Sequence, residues 1–170
     1  PIYNHLLVSP HYLFKQISKF IDVEIANAKA GKTAYIIIKL NSLNDEGTIK
    51  KLYEASQAGV EIKLIIRGIC SLIPNQPGLS ENIEAISLVD KYLEHARIYH
   101  FANGGNGNER YYIASADWME RNLHWRIEVA CPIYDPELQA ELKVYLEYQL
   151  KDNVKARWLN HGSKNTHKKN

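Results

Sequence analysis

The chain has 170 residues, 45% hydrophobic and 24% charged, the make-up of one soluble globular domain long enough to bury a core. No apolar run approaches the ~20 residues of a membrane span, and no signal peptide opens the chain. Net charge is only +2, and six Lys/Arg with one acid from Lys151 onward leave the body at −3, so a broadly basic nucleic-acid face is not indicated and any anion site must be a local cluster.

The first residue is Pro, not Met, and the chain reads as a piece of something longer. Ser9-Pro10 has the pattern of a helix start, a Ser cap with Pro at the first helical position. Leu13, Phe14, Ile17, Phe20, Ile21 and Ile25 follow at helical spacing, and Gly31 marks the end. AYIIIKLN (34–41) is a short apolar run, expected for a strand covered on both faces. Asn44 or Asp45 caps a second helix with Ile49, Leu52, Tyr53 and Ser56 inward, and Gly59 stops it. EIKLIIR (61–67) is another strand. Strand, helix and strand in about thirty residues make a βαβ unit with a parallel pair. Ligands of open α/β sheets bind beyond the carboxyl ends of parallel strands, where Lys39, Asn41 and Arg67 fall.

Residues 71–82 hold two prolines and a glycine and read as a loop, of the kind that often carries function. IEAISLV (83–89) is a strand, and DKYLEH a short helical turn. YLEHARIYHF and RYYIA, joined by a Gly/Asn-rich loop, form a hairpin. Folding it about residues 104–107 brings His95 near Ser115, and alternation puts His95 and Arg97 on one face. An imidazole, a guanidinium, the Ser115 hydroxyl and the Asp117 carboxylate then crowd one sheet edge, with Arg121 and Arg126 close behind. RIEVACPI (126–133) is a further strand. Asp135-Pro136 caps the last helix, with Leu138, Leu142, Tyr145, Leu146 and Gln149 on one stripe, and VKARWL adds a short extended piece. HGSKNTHKKN lacks apolar residues and is expected to be disordered. Cys70 and Cys131 sit beside apolar runs and read as buried thiols of a cytosolic protein. Trp118 and Met119 read as core packing. His100 has the opposite parity to His95 and reads as structural, while the role of His124 is open.

None of the seven histidines has HExxH spacing, there is no CxxC…CxxC pattern, and there is no P-loop. The GGNG run lies in a hairpin turn, so it is no dinucleotide fingerprint. His95-Ala96-Arg97 followed by Ala114-Ser115-Ala116-Asp117 resembles a modified phospholipase D signature, HxK then GSxN, with Arg for Lys, Ala for Gly and Asp for Asn. The longer stretches KLNSLNDEGTIKKLYEASQAGVEIKLIIRGICSLIP, PGLSENIEAISLVDKYLEHARIYHFANGG and YYIASADWMERNLHWRIEVACPI closely resemble the last domain of bacterial polyphosphate kinase, the phosphohistidine-forming type, over about residues 5–158.

That resemblance implies an α/β fold. It would be a phospholipase D-like α/β/α sandwich over residues 1–160, with a mixed sheet, helices on both faces and a basic tail at 161–170. It implies reversible transfer of the ATP γ-phosphate to a polyphosphate chain, with Mg2+ accompanying ATP and no metal ligand identifiable in this chain. Further implications are ATP, ADP and polyphosphate as partners, the other domains of a parent enzyme, a homo-oligomer, no nucleic acid, and a cytoplasmic location, free or peripheral to the membrane. It assigns Arg67 and His95 to the nucleotide-phosphate site. Arg121 or Arg126 is expected in the phosphate channel, and Lys39 and Ser115 are weaker candidates. The family's nucleophilic histidine lies in a preceding domain, and no histidine here sits in its motif, so the chain alone is expected not to make polyphosphate. The alternative is a dimeric phospholipase D-like phosphodiesterase or nuclease that brings two His95 half-sites together.

Overall fold

The computed structural model describes residues 3–88, 94–152 and 156–159. Its centre is the expected βαβ unit. Strand β2 (Tyr35–Leu40) and strand β3 (Glu61–Ile66) pair in parallel, with helix α2 (Glu46–Gln57) between them in sequence. Asp45 caps α2, its Oδ2 accepting from Thr48 N at 2.8 Å, and Gly59 leaves the helix at φ 91°, a conformation that only glycine adopts cheaply. Strand β4 (Ile83–Ser87) adds in parallel to β3. The hairpin of β5 (Arg97–Phe101) and β6 (Arg110–Ala114) adds antiparallel to β2. Strand β7 (Val129–Pro132) continues beyond β6, and two-residue strands, β1 (Leu7–Val8) and β8 (Arg157–Trp158), close the edges. The order is β1-β7-β6-β5-β2-β3-β4-β8.

Helices cover both faces, as the α/β/α expectation required. Helix α1 (Leu13–Lys29) and α2 cover one face through Leu13, Ile17, Ile21 and Leu52, against Ile36, Ile38, Leu40, Ile62, Leu64 and Ile66. Alternation sends Ile37 and Ile65 to the other face, where helix α3 (Pro136–Lys151) packs through Leu142, Tyr145, Leu146 and Leu150. Each fully buried side chain of this size contributes about 1.5–3 kcal/mol relative to exposure.

Three sequence expectations change. α1 begins after Tyr12, not at Ser9-Pro10: the Ser9 hydroxyl donates to Arg126 O at 2.6 Å and accepts from Glu128 N at 3.0 Å, so it cannot cap the helix. Leu138 is exposed, because α3 meets the sheet only from Leu142 onward. Cys131 is an exposed free thiol, not a buried one. It pairs across from exposed Ile113, on the sheet face that carries α3 but beyond the helix's cover, whereas Cys70 is half-buried. The short strand β1 has no counterpart in the sequence reading. The helical turn expected at DKYLEH (90–95) lies largely outside the described residues, and the disorder expected of the tail 161–170 lies wholly outside them.

The same helical face buries Glu24, which is 0% exposed and accepts from Asn103 N at 2.6 Å. Burial pushes its carboxyl up to about 7. The folded chain therefore holds this proton where the unfolded chain has released it, and stability falls as pH rises from the ordinary carboxylate value toward 7. Glu24→Gln is expected to remove that slope and to stabilise the domain on the order of 2 kcal/mol at pH 8. Urea midpoints of both proteins at pH 5 and pH 8 check it. Equal slopes for the two would show that Glu24 does not titrate in this window.

Candidate functional site

The polar chemistry gathers where β2 and β3 end. Arg67 N donates to Leu40 O at 3.3 Å and Gly68 N to Asn41 O at 2.7 Å, which carries the parallel ladder one step past the strands. A Cβ at Gly68 would stand 2.9 Å from the Asn41 carbonyl oxygen, so the residue after Arg67 must be glycine for the two exits to lie this close. Arg67 is thereby fixed at the carboxyl end of β3, half-buried, with no carboxylate partner among the described residues.

Asp117 organises the neighbouring strand ends. It is 4% exposed, and its Oδ1 accepts from Asn41 N at 2.7 Å, Ser42 N at 3.2 Å and Arg97 Nε at 3.1 Å. Its Oδ2 accepts from Arg97 Nη2 at 3.0 Å. A buried carboxylate needs such donors, since each unmatched lone pair would cost desolvation. Arg97 in turn braces His95: Nη1 donates to the His95 carbonyl at 3.1 Å and lies 3.3 Å from Nδ1, while Nη2 lies 3.1 Å from Nε2. His95, Arg97 and Asp117 thus converge as the hairpin register suggested, and His95 itself is exposed.

Ser115 does not join them. Its hydroxyl donates to Glu128 Oε2 and accepts from Val129 N at 3.1 Å. Lys39 lies on the α3 face of the sheet, 2% exposed, with Nζ 3.7 Å from Glu94 Oε2. Burial pushes its ammonium down. Glu94 pulls it back up, and the positive charges of Arg67 and Arg97 push it down again, so these three cations lie within electrostatic reach of one another. Arg121 opens and Arg126 follows a five-residue π-helical turn, Arg121–Trp125. Both side chains are exposed, with no acidic partner among the described residues. The turn is tied down by His124, whose Nε2 lies 2.9 Å from the Asp45 carboxylate that caps α2. That gives His124 a structural role the sequence left open.

His100 is buried, stacked 3.9 Å from Tyr111, and burial holds its imidazole down at about 3, so it stays neutral inside the sheet. Trp118 is fully buried and belongs to the core, as read; Met119 is half-buried. The participant that sequence reasoning missed is Glu94. Its position beside His95 was the available signal. Two clefts of about 250 and 370 Å³ run along α3, over β2, β3 and β4, and neither is lined by Arg67 or His95. At the cationic edge His95, Arg121 and Arg126 are exposed, Arg67 is half-buried and Lys39 is buried.

The carboxylates beside these cations do not fit as magnesium ligands. Asp117 is saturated by four donors, and Glu94 is engaged by Lys39, Tyr145 and Gln149. Among the described residues no group of three His, Cys, Asp or Glu could hold a metal ion.

Comparison with known proteins shows the family and the fold. Residues 6–170 match the family model described as polyphosphate kinase C-terminal domain 2. The polyphosphate kinase of Vibrio cholerae is 53% identical over 155 residues, which are 91% of this chain and 22% of that protein. The crystal structure of polyphosphate kinase from Porphyromonas gingivalis superimposes with a TM-score of 0.94 at 49% identity, covering 99% of this chain and 26% of that one. The phospholipase D family member Nuc from Salmonella typhimurium shares the fold alone, with a TM-score of 0.65 at 14% identity over 91% of this chain and 96% of its own. The chain thus spans about a fifth to a quarter of the polyphosphate kinases it matches.

Proposed function

Because this chain belongs to the polyphosphate kinase C-terminal domain 2 family, we propose that it supplies the phosphate-binding half of a site that transfers the ATP γ-phosphate to polyphosphate. The observation that carries this reading is the division of labour among the cations at the sheet edge. Lys39 and Arg97 are each tied to a carboxylate, whereas Arg67 has no carboxylate partner among the described residues. Arg67 presents a planar fork suited to phosphate oxygens, and His95 stands exposed beside Arg97, able to donate to a phosphate or to protonate a departing oxygen. Phosphoryl transfer asks a protein mainly for such positioning and charge. Arg121 and Arg126 extend the positive surface along which a polyphosphate chain would run, and Ser115 serves the framework through Glu128. On this reading magnesium arrives with ATP, a neighbouring domain provides the nucleophile, and the enzyme works in the cytoplasm.

The runner-up, phosphodiester hydrolysis by a dimer, is disfavoured by the two residues that depart from the phospholipase D pattern. Arg97 and Asp117 stand where that signature has Lys and Asn, and here they bond to each other. Neither is left for a phosphodiester.

Calorimetric titration of ATP and of tripolyphosphate into the chain tests the phosphate half-site. Arg67→Ala is expected to weaken binding at least tenfold, about 1.4 kcal/mol. Equal affinities for wild type and variant would move the anion contact away from Arg67.

A further inference from the structure

His95 is not inside a strand. Among the described residues, 94–96 lead into β5 with no ladder hydrogen bonds, the pairing with β6 beginning at Arg97. Two side-chain anchors take their place, one on each face of the sheet. On the α1/α2 face, Arg97 is clamped by Asp117 and braces the His95 carbonyl and ring. On the α3 face, Glu94 Oε2 accepts from Tyr145 Oη at 2.6 Å and Gln149 Nε2 at 3.2 Å, and lies 3.7 Å from Lys39 Nζ.

The second anchor is an unusual thing to build. A lysine 2% exposed in a central strand is costly unless a carboxylate answers it. Hydrophobic packing would serve that position in β2 better if stability were the only requirement. Glu94 answers it from the residue next to His95, and α3 contributes two further donors from successive turns, Tyr145 and Gln149. The pair also stands beside Arg67 and Arg97, whose positive charge bears on Lys39.

We propose that Glu94 is a positioning residue for His95, held by Lys39, Tyr145 and Gln149, so that helix α3 fixes the approach of the imidazole to phosphate. Lys39 then acts through Glu94 and is not itself a phosphate ligand. This rests on the reading above that His95 contacts the transferring phosphate. Glu94 fixes the backbone before the imidazole and Arg97 the backbone after it, from opposite faces, leaving the ring itself little freedom to turn from the edge.

The test is a double-mutant cycle in a full-length polyphosphate kinase that carries this domain, measuring kcat and KM for ATP. Glu94→Ala is expected to lower kcat about tenfold, the size of coupling found within one hydrogen-bonded network. Tyr145→Phe, which removes one donor and keeps the ring, is expected to lower it about threefold. KM should change little in either. In a His95→Ala background both substitutions should have no further effect, because the group they position is gone. The same loss in both backgrounds, or no loss from Tyr145→Phe in the wild-type background, would overturn the proposal, since a purely structural role is indifferent to His95. A His95→Ala enzyme with full turnover would instead remove the phosphate-site reading, and this proposal with it.

Discussion

Replacing His95 by alanine in a full-length polyphosphate kinase carrying this domain is expected to lower the rate of polyphosphate formation about 10²–10³-fold, the usual cost of losing one preorganised donor at a developing charge. The expectation follows from where the ring sits. It is exposed at the sheet edge, braced by Arg97, and it follows Glu94, which pairs with Lys39 of β2. The lost group is replaced only by water, which is neither oriented nor held. His95→Gln retains a neutral donor and is expected to recover part of the loss. Initial rates at saturating ATP measure both variants, and a His95→Ala rate within threefold of wild type would leave the imidazole without a chemical role.

The largest effect on stability is expected at Asp117. Its carboxylate satisfies two backbone amides, Asn41 N and Ser42 N, and the Arg97 guanidinium, all at one buried point. Asp117→Ala deletes the acceptors and leaves a half-buried cation and two amides without partners. Breaking a buried pair in this way costs about 3–5 kcal/mol, which for a domain of this length lowers Tm on the order of 10 °C. Asp117→Asn keeps one acceptor oxygen and should cost clearly less. Thermal melts followed by circular dichroism decide it. A Tm unchanged by Asp117→Ala would mean that the strand ends do not depend on this clamp.

Much of this architecture is written locally in the chain. YIIIKL and EIKLII are strands because each is short, apolar and bounded by turn formers, and the helix between them forces a parallel crossover. That topology alone places Arg67 at a carboxyl strand end. The hairpin was equally plain from its Gly/Asn turn. What local pattern could not show is which partner a polar group chooses. Ser9 looks like a helix cap, but its hydroxyl bonds to Arg126 and Glu128, more than a hundred residues away. Ser115 looks like part of the cationic edge, yet it faces Glu128. Lys39 reads as a strand-end phosphate candidate until the fold brings Glu94 and α3 over it. Cys131 reads as buried because its neighbours are apolar, whereas α3 stops short of its part of the sheet.

The two outermost strands, β1 and β8, are two residues each and come from opposite ends of the described chain. A sheet of eight strands in a long polypeptide carries a standing risk of polymerisation, because a bare edge strand is a template for any extended segment that meets it. Here each penultimate strand is partly covered, and the covering strand is too short to recruit another in turn. Among the described residues, 7–8 and 157–158 thus leave the sheet with edges too short to act as templates for a further strand.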